Sequence, residues 1–245
     1  MIMKYLYLVY QYVIAFPLIV VITLFTAIVT IICFPWKNGA LPHAIQVFWS
    51  RSLVRLLLVP VSVTGQENIR KGQSYVFVSN HQSFLDVFVI YGWLPSNFKW
   101  LMKKELRHVP FVGFACKVAG HIFVDRSNPV AALNSIKEIE SELQNGVSTV
   151  IFPEGTRTKT GEMGRFKRGA FQVALDLHLP IIPISLKGFY EAMPRDKHYV
   201  RPHSHLYMHI GKPIDLSDFI DPMTSKIDSS ALMCYVQDSI KKGMA

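Results

Sequence analysis

Residues 5–36 carry no charge and no histidine, and residues 18–34 are almost entirely aliphatic or aromatic. As a helix, those 32 residues would measure about 48 Å at 1.5 Å per residue, against a hydrocarbon layer of about 30 Å. A water-exposed domain has no place for so long an apolar rod, so the segment is expected to enter a membrane. It is too long for the apolar region of a signal peptide, and no small-residue cleavage pattern follows it. Pro17 is placed to kink it. After Pro42 a second apolar helix is expected over residues 45–58, with Ile45, Phe48, Trp49, Leu53 and Leu56 on one face. Arg51 and Arg55 sit one turn apart beside that face, suited to snorkel toward headgroups. The competing reading of this second helix is a packed core element. The two helices could span the bilayer or form a hairpin dipped into one leaflet. Lys37, Arg51 and Arg55 outweigh Lys4, which favours a cytoplasmic position for the rest of the chain. The expected division is a membrane-anchoring part, residues 1–62, and a larger domain, residues 63–245.

Composition agrees. Of 245 residues, 50% are hydrophobic and only 18% are charged, against roughly 25% charged in ordinary soluble domains. The net charge is +9, and the first 36 residues contribute only Lys4 to it, so almost all of the excess lies on the larger domain. That excess calls for an anionic partner. The Lys and Arg residues are scattered and the aromatics crowd the membrane stretch, which fits nucleic acid poorly. Cys33, Cys116 and Cys234 are far apart. They suggest neither a disulfide framework nor a metal site.

Beyond residue 65 the texture changes. Apolar, β-branched runs stand at 75–78, 121–124, 149–152, 181–186 and 206–210. Helical patterns lie between them, the clearest opening at Asn128-Pro129 and running through Val130, Leu133, Ile136, Ile139 and Leu143 to Gly146. This alternation predicts an α/β fold, a mixed and largely parallel sheet flanked by helices. In such sheets ligands bind beyond the carboxyl ends of the strands.

The turn after residues 75–78 reads Ser79-Asn80-His81-Gln82-Ser83-Phe84-Leu85-Asp86. With His81 in the turn and Asp86 in the first helical turn, the carboxylate can accept the Nδ1 proton and leave Nε2 free as a base. Ser83-x-x-Asp86 equally fits a helix-capping box. The turn after residues 149–152 reads Phe152-Pro153-Glu154-Gly155-Thr156-Arg157: Gly155 admits close backbone approach, and Arg157 offers a planar fork for phosphate. A third strand exit is Val124-Asp125-Arg126, and a fourth segment, Pro180-Ile181-Ile182-Pro183, is either core or the wall of an acyl tunnel.

Taken in order, His81-x4-Asp86, Val124-Asp125-Arg126, the Glu154-Gly155-Thr156-Arg157 block and the proline-flanked apolar segment resemble the four blocks of the glycerolipid acyltransferase family, most closely its 1-acylglycerol-3-phosphate branch. The resemblance covers about residues 65–215. It implies transfer of an acyl chain from acyl-CoA or acyl carrier protein to the sn-2 hydroxyl of lysophosphatidate at a phospholipid bilayer, giving phosphatidic acid, with no cofactor and no nucleic-acid partner. An acyltransferase or transacylase for another lysophospholipid is the alternative. By the same resemblance His81 and Asp86 are catalytic, while Arg126, Glu154, Gly155, Thr156 and Arg157 bind the acceptor. Lys103 and Lys104 assist them.

Overall fold

The computed structural model describes residues 2–33, 40–124, 143, 146–222 and 224–245. Helix α1 runs from Ile2 to Ile32. Pro17 removes the amide that would bond back to Val13, and the backbone opens into a π turn over Gln11–Ala15 just before it. The helix is not a free rod. Tyr7 Oη donates to the Leu57 carbonyl and Tyr10 Oη to that of Leu56 (2.8 Å). Gln11 closes both hydrogen bonds with the Val200 backbone, each at 2.8 Å. Further along, Thr23 accepts from Trp49 Nε1 at 3.0 Å, and Thr26 and Thr30 are buried. One face therefore lies along the domain from Tyr7 to Thr30, while Val9, Val13, Val21, Phe25 and Ile32 face outward.

Helix α2 spans Ala40–Leu56 and packs on α3, Leu85–Trp93. Here the structure departs from expectation. Leu53 joins the main core and Trp49 packs against it, as the expected face requires, but Phe48 is exposed, and Val54 and Leu57 enter the core with Ser50 buried beside them. Arg51 does not reach toward headgroups: its Nε donates to the Gly92 carbonyl at 2.6 Å, and its guanidinium lies 5.7 Å from the Trp93 ring. The reason is local. The last carbonyls of α3 lack helical partners, and a cation satisfies them better than a neutral donor.

The sheet has the order β1-β7-β6-β2-β5-β3-β4, with β1 Val61–Thr64, β2 Val76–Ser79, β3 Asn97–Lys103, β4 Ile122–Val124, β5 Val147–Ile151, β6 Ile181–Lys187 and β7 Leu206–Ile210. Short helices α4 (Val112–Val118), α5 (Gln172–Leu177) and α6 (Phe189–Ala192) lie between strands along the chain. Strands β2 to β6 are mutually parallel through their pairings, and β7 runs antiparallel to β6. The expected mixed, largely parallel sheet is present. Central strand β2 is buried throughout. Phe77 enters the core shared with α2 and α3, while Val76 and Val78 enter the core on the other face. That explains its unbroken apolar run. The second face is closed by α7, Ser229–Met244, whose Leu232, Val236 and Ile240 recur every four residues. Asp228 caps it by accepting from the Ser230 and Ala231 amides.

The segment Pro180–Pro183 opens β6, where Ile181, Ile182 and Ile184 are fully buried between β2 and β7. It is core, not a tunnel wall. The helix expected after Asn128-Pro129, and Arg126 with it, lie outside the described residues. Strand β1 starts at Val61, near the expected boundary, yet α2 belongs to the main core. Tertiary packing therefore does not separate residues 1–62 cleanly from the rest.

Candidate active site

The carboxyl ends of β2 to β6 form one rim of the sheet, and the sequence motifs leave from it. Beyond Ser79 the chain turns on Asn80, whose side-chain amide pairs with both backbone groups of Leu186 at 2.9 Å. This clamp ties the turn to β6. His81 comes next, with Nδ1 2.7 Å from Asp86 Oδ2. Asp86 is fully buried, and its oxygens also accept the backbone N–H of Gln82 (2.6 Å) and of Ser83 (3.0 Å). The dyad and the helix cap are therefore both real, because one carboxylate has enough lone pairs for both. A carboxylate can only accept, so Nδ1 carries the hydrogen, and the neutral ring then has its lone pair on Nε2. The imidazole keeps 18% of its surface exposed. Burial pushes the Asp86 carboxyl up from the usual range, and hydrogen bonds from His81, Ser83 and Gln82 pull it back.

The Glu154 loop is bound to this turn. Glu154 Oε1 accepts the His81 N–H at 2.8 Å, and Oε2 accepts the Gly164 N–H at 2.7 Å. The Thr158 amide donates to the His81 carbonyl at 2.9 Å. Burial raises the Glu154 carboxyl as well, against the Gly164 and His81 amides that lower it. Oε1 thus ties the Glu154 loop to the His81 turn, while Oε2 braces its own loop at Gly164. Gly155 sits at φ +72, in the left-handed region that favours glycine. Phe152, just beyond β5, stacks on the His81 ring at 3.9 Å, and Trp100 stacks on Phe152 at 5.7 Å. The His81 ring is fixed on one flank by a carboxylate and on one face by an aromatic column.

Two cavities meet at Arg157. One, of about 410 Å³, has apolar walls from Phe16, Ile19, Leu53 and Phe84 and a cationic side of Arg157, Arg195 and Lys197. The other, of about 400 Å³, is polar and lined by Glu154, Thr156, Arg157, Lys159, Arg165 and Arg195. Arg195 Nη1 donates to the Arg157 carbonyl at 3.4 Å, joining the two guanidinium-bearing segments. Sequence reading overlooked Arg195 and Lys197, which belong to no motif and gain their place only through folding. Lys103 and Lys104 stand at the end of β3, outside both cavities, and Lys103 pairs with Glu105 at 3.2 Å on the surface.

The rim thus carries a hydrogen-bonded His81–Asp86 pair, an amphipathic cavity and a cluster of cations. Comparison with known proteins agrees with that chemistry. The Acyltransferase family model matches residues 60–187. The chain is 38% identical over 155 residues to a 1-acyl-sn-glycerol-3-phosphate acyltransferase of Cocos nucifera, covering 62% of this chain and 49% of that protein. It is 39% identical over 132 residues to the human 1-acyl-sn-glycerol-3-phosphate acyltransferase alpha, covering 54% and 47%. It spans about half the length of the curated relatives it matches. The crystal structure of PlsC, the 1-acyl-sn-glycerophosphate acyltransferase of Thermotoga maritima, superposes with a TM-score of 0.65 at 24% identity, covering 94% of this chain and 96% of that one, and so shares the fold. With the matched region containing both the His81–Asp86 dyad and the Glu154–Arg157 loop, the chain belongs to the acyltransferase family.

Proposed function

We propose that the protein transfers a fatty acyl chain from a thioester donor to the sn-2 hydroxyl of 1-acylglycerol-3-phosphate, yielding phosphatidic acid. The single observation that carries this reading is the cavity where Arg157, Arg195 and Lys197 face apolar walls contributed partly by α1. Its cationic side suits a phosphate and its walls suit an acyl chain, and its Phe84 wall is three residues from His81. The names of the relatives supply the acceptor class.

An alcohol attacks a thioester slowly at neutral pH unless its proton leaves as the new bond forms. His81 Nε2 takes that proton, and Asp86 stabilises the imidazolium through Nδ1. The acceptor oxygen bonds to the acyl carbon, the carbon–sulfur bond breaks, and the imidazolium returns its proton to the departing thiolate. No acyl-enzyme nucleophile is required. Arg157 binds the acceptor phosphate, with Arg126 carried over from the family resemblance and Arg195 added by the structure. Glu154 and Gly155 shape the loop that presents them, and Thr156 lines the polar cavity.

We place the protein on a membrane, with its catalytic rim on the cytoplasmic side and α1 as an anchor in one leaflet. The inward polar contacts of α1, from Gln11 to Thr30, support an in-plane anchor over a bilayer crossing. Residues 1–62 then form the anchoring part and 63–245 the catalytic domain, with α2 shared between them.

The test is purified protein in phospholipid vesicles, given lysophosphatidate or other lysophospholipids, with thiol release followed from acyl-CoA and from acyl carrier protein. Thiol release with lysophosphatidate and not with zwitterionic lysolipids is expected. Equal rates on all acceptors would overturn the acceptor assignment. Arg157→Ala should raise the KM for lysophosphatidate about tenfold or more, as loss of a charged hydrogen bond implies.

A further inference from the structure

Between β3 and β4 the chain makes a small helical hairpin: a 3-10 turn over Lys104–His108, then α4, Val112–Val118. The fold already has its cores, and this hairpin turns its largest apolar side chains away from them. Leu106, Val109, Phe111 and Phe114 are 43%, 41%, 56% and 56% exposed. Isolated exposed apolar residues are ordinary, but four within nine positions make a patch that calls for a partner. The backbone holds them there. Phe111 has φ +60 and ψ −50, and the Val112 amide bonds to the Pro110 carbonyl at 2.6 Å, forming the strained variety of γ-turn. A bulky side chain in the left-handed region is a true outlier, and here the ring is not seated in any core. Gly113 lets the two short helices close: a Cβ there would lie 2.3 Å from the Arg107 carbonyl oxygen.

Three further observations identify the partner. The buried side of α4 shares a cavity lining with Thr23, Thr26, Ala27 and Thr30 of α1, so the hairpin sits against the apolar helix whose outer face is exposed. The patch is flanked by Lys103, Lys104, Arg107 and Lys117 against the single acidic Glu105. And the hairpin leaves from the carboxyl end of β3, on the same rim as His81. Apolar rings bordered by cations are the chemistry of an interfacial anchor on anionic lipid.

We infer that the Lys104–Val118 hairpin is a second membrane contact, inserting Phe111 and Phe114 into the acyl boundary of an anionic leaflet while the flanking cations meet headgroups. Together with α1 it fixes the tilt of the domain and holds the catalytic rim at the lipid surface, where a lysolipid enters without crossing water. Lys103 and Lys104 then serve the bilayer, in keeping with their place outside the Arg157 cavities. The inference rests on the reading of α1 as an anchor, and the experiment separates the two.

The native cysteines are replaced by alanine, and single cysteines are introduced at Phe111, at Phe114 and, as a control, at exposed Tyr235 on α7. Each is labelled with an environment-sensitive fluorophore and mixed with vesicles of phosphatidylcholine and phosphatidylglycerol, with and without brominated acyl chains. Vesicle flotation reports the α1 anchor; bromolipid quenching reports the hairpin. Quenching at 111 and 114 at least about twofold greater than at 235 is expected, falling when phosphatidylglycerol is omitted. Flotation with quenching at 111 and 114 no greater than at 235 overturns the inference while leaving the anchor standing. A blue shift without vesicles, unaffected by bromolipid, overturns it in favour of a second copy of the chain. Loss of flotation overturns the anchor reading and the inference with it.

Discussion

His81 and His121 stand at opposite ends of parallel strands, both largely enclosed, and they differ in what their nitrogens do. His81 lies past the carboxyl end of β2, with Nδ1 on Asp86 and Nε2 uncommitted to that partner. His121 precedes β4 at the other rim. Its Nδ1 accepts the Trp100 backbone N–H at 3.3 Å, and its Nε2 lies 3.0 Å from Tyr91 Oη, which donates onward to Gln46. Both nitrogens of His121 are therefore occupied and its tautomer is fixed. Burial pushes its pKa down to about 3, with the charges of Lys99 and His43 acting in the same direction. Protonation would turn Nδ1 into a donor facing the Trp100 N–H. Burial alone makes a histidine inert. His81 instead keeps one nitrogen on a buried carboxylate and part of its ring exposed, the arrangement the proposed base requires.

The largest expected effect is at His81. His81→Ala should lower turnover by at least about 10²-fold, the lower end for general-base catalysis, while thermal stability and membrane association stay as in the parent. Retention of more than about 1% of the rate would break the contrast on its functional side.

The next effect belongs to His121 and appears in stability against pH. Its folded pKa is depressed below the unfolded value, so below about pH 6.5 the unfolded chain binds a proton that the folded one refuses. This group's contribution is intact above pH 6.5 and is lost as pH falls toward 3. At pH 5 the loss amounts to about 2 kcal/mol, at 1.36 kcal/mol per pH unit. Asp86 and Glu154 are shifted upward and act with the opposite sign, so the measurement is the difference between parent and His121→Phe. The variant should be less stable at pH 8, by about 1–3 kcal/mol for the unpaired Trp100 amide. Its stability should decline less steeply than the parent's between pH 6.5 and 5, with turnover retained. Parallel denaturation curves for the two proteins across that range would remove the distinction.

How much of this was legible before folding depends on how local each feature is. Strands β2 and β4 to β7 announced themselves as apolar, β-branched runs. Strand β3 did not, because Lys99 and Lys103 interrupt it. Its signal was the alternation of Phe98 and Trp100, both buried, with outward neighbours. Strand β1 has four residues, too few for a period to show. The His81–Asp86 pair was readable because five residues of chain fix its geometry. Its double duty as dyad and helix cap was not, since sequence poses those as alternatives. Arg51 was misread because the facing of α2 depends on α3, which supplies the carbonyl that captures it. Arg195 reaches Arg157 across 38 residues, and no local pattern marks such a meeting.

Glu154 tests the comparison at its finest grain, because family resemblance assigns it to the acceptor and the geometry assigns it to His81. Its two oxygens accept the His81 and Gly164 amides, at 2.8 and 2.7 Å. Glu154→Gln keeps the shape, but one of those amides then faces an NH2 group, donor against donor. Hydrogen bonds to charged groups contribute about 1.5–3 kcal/mol, and part of that loss falls on the position of the His81 ring. Turnover should fall roughly tenfold, equivalent to about 1.4 kcal/mol in the transition state, while the KM for lysophosphatidate stays within about twofold. Arg157→Ala should show the reverse split, in KM more than in kcat. If Glu154→Gln instead raises KM as Arg157→Ala does, the carboxylate touches the acceptor. The position of His81 would then rest mainly on Asp86, the Phe152 stack and the Thr158 amide.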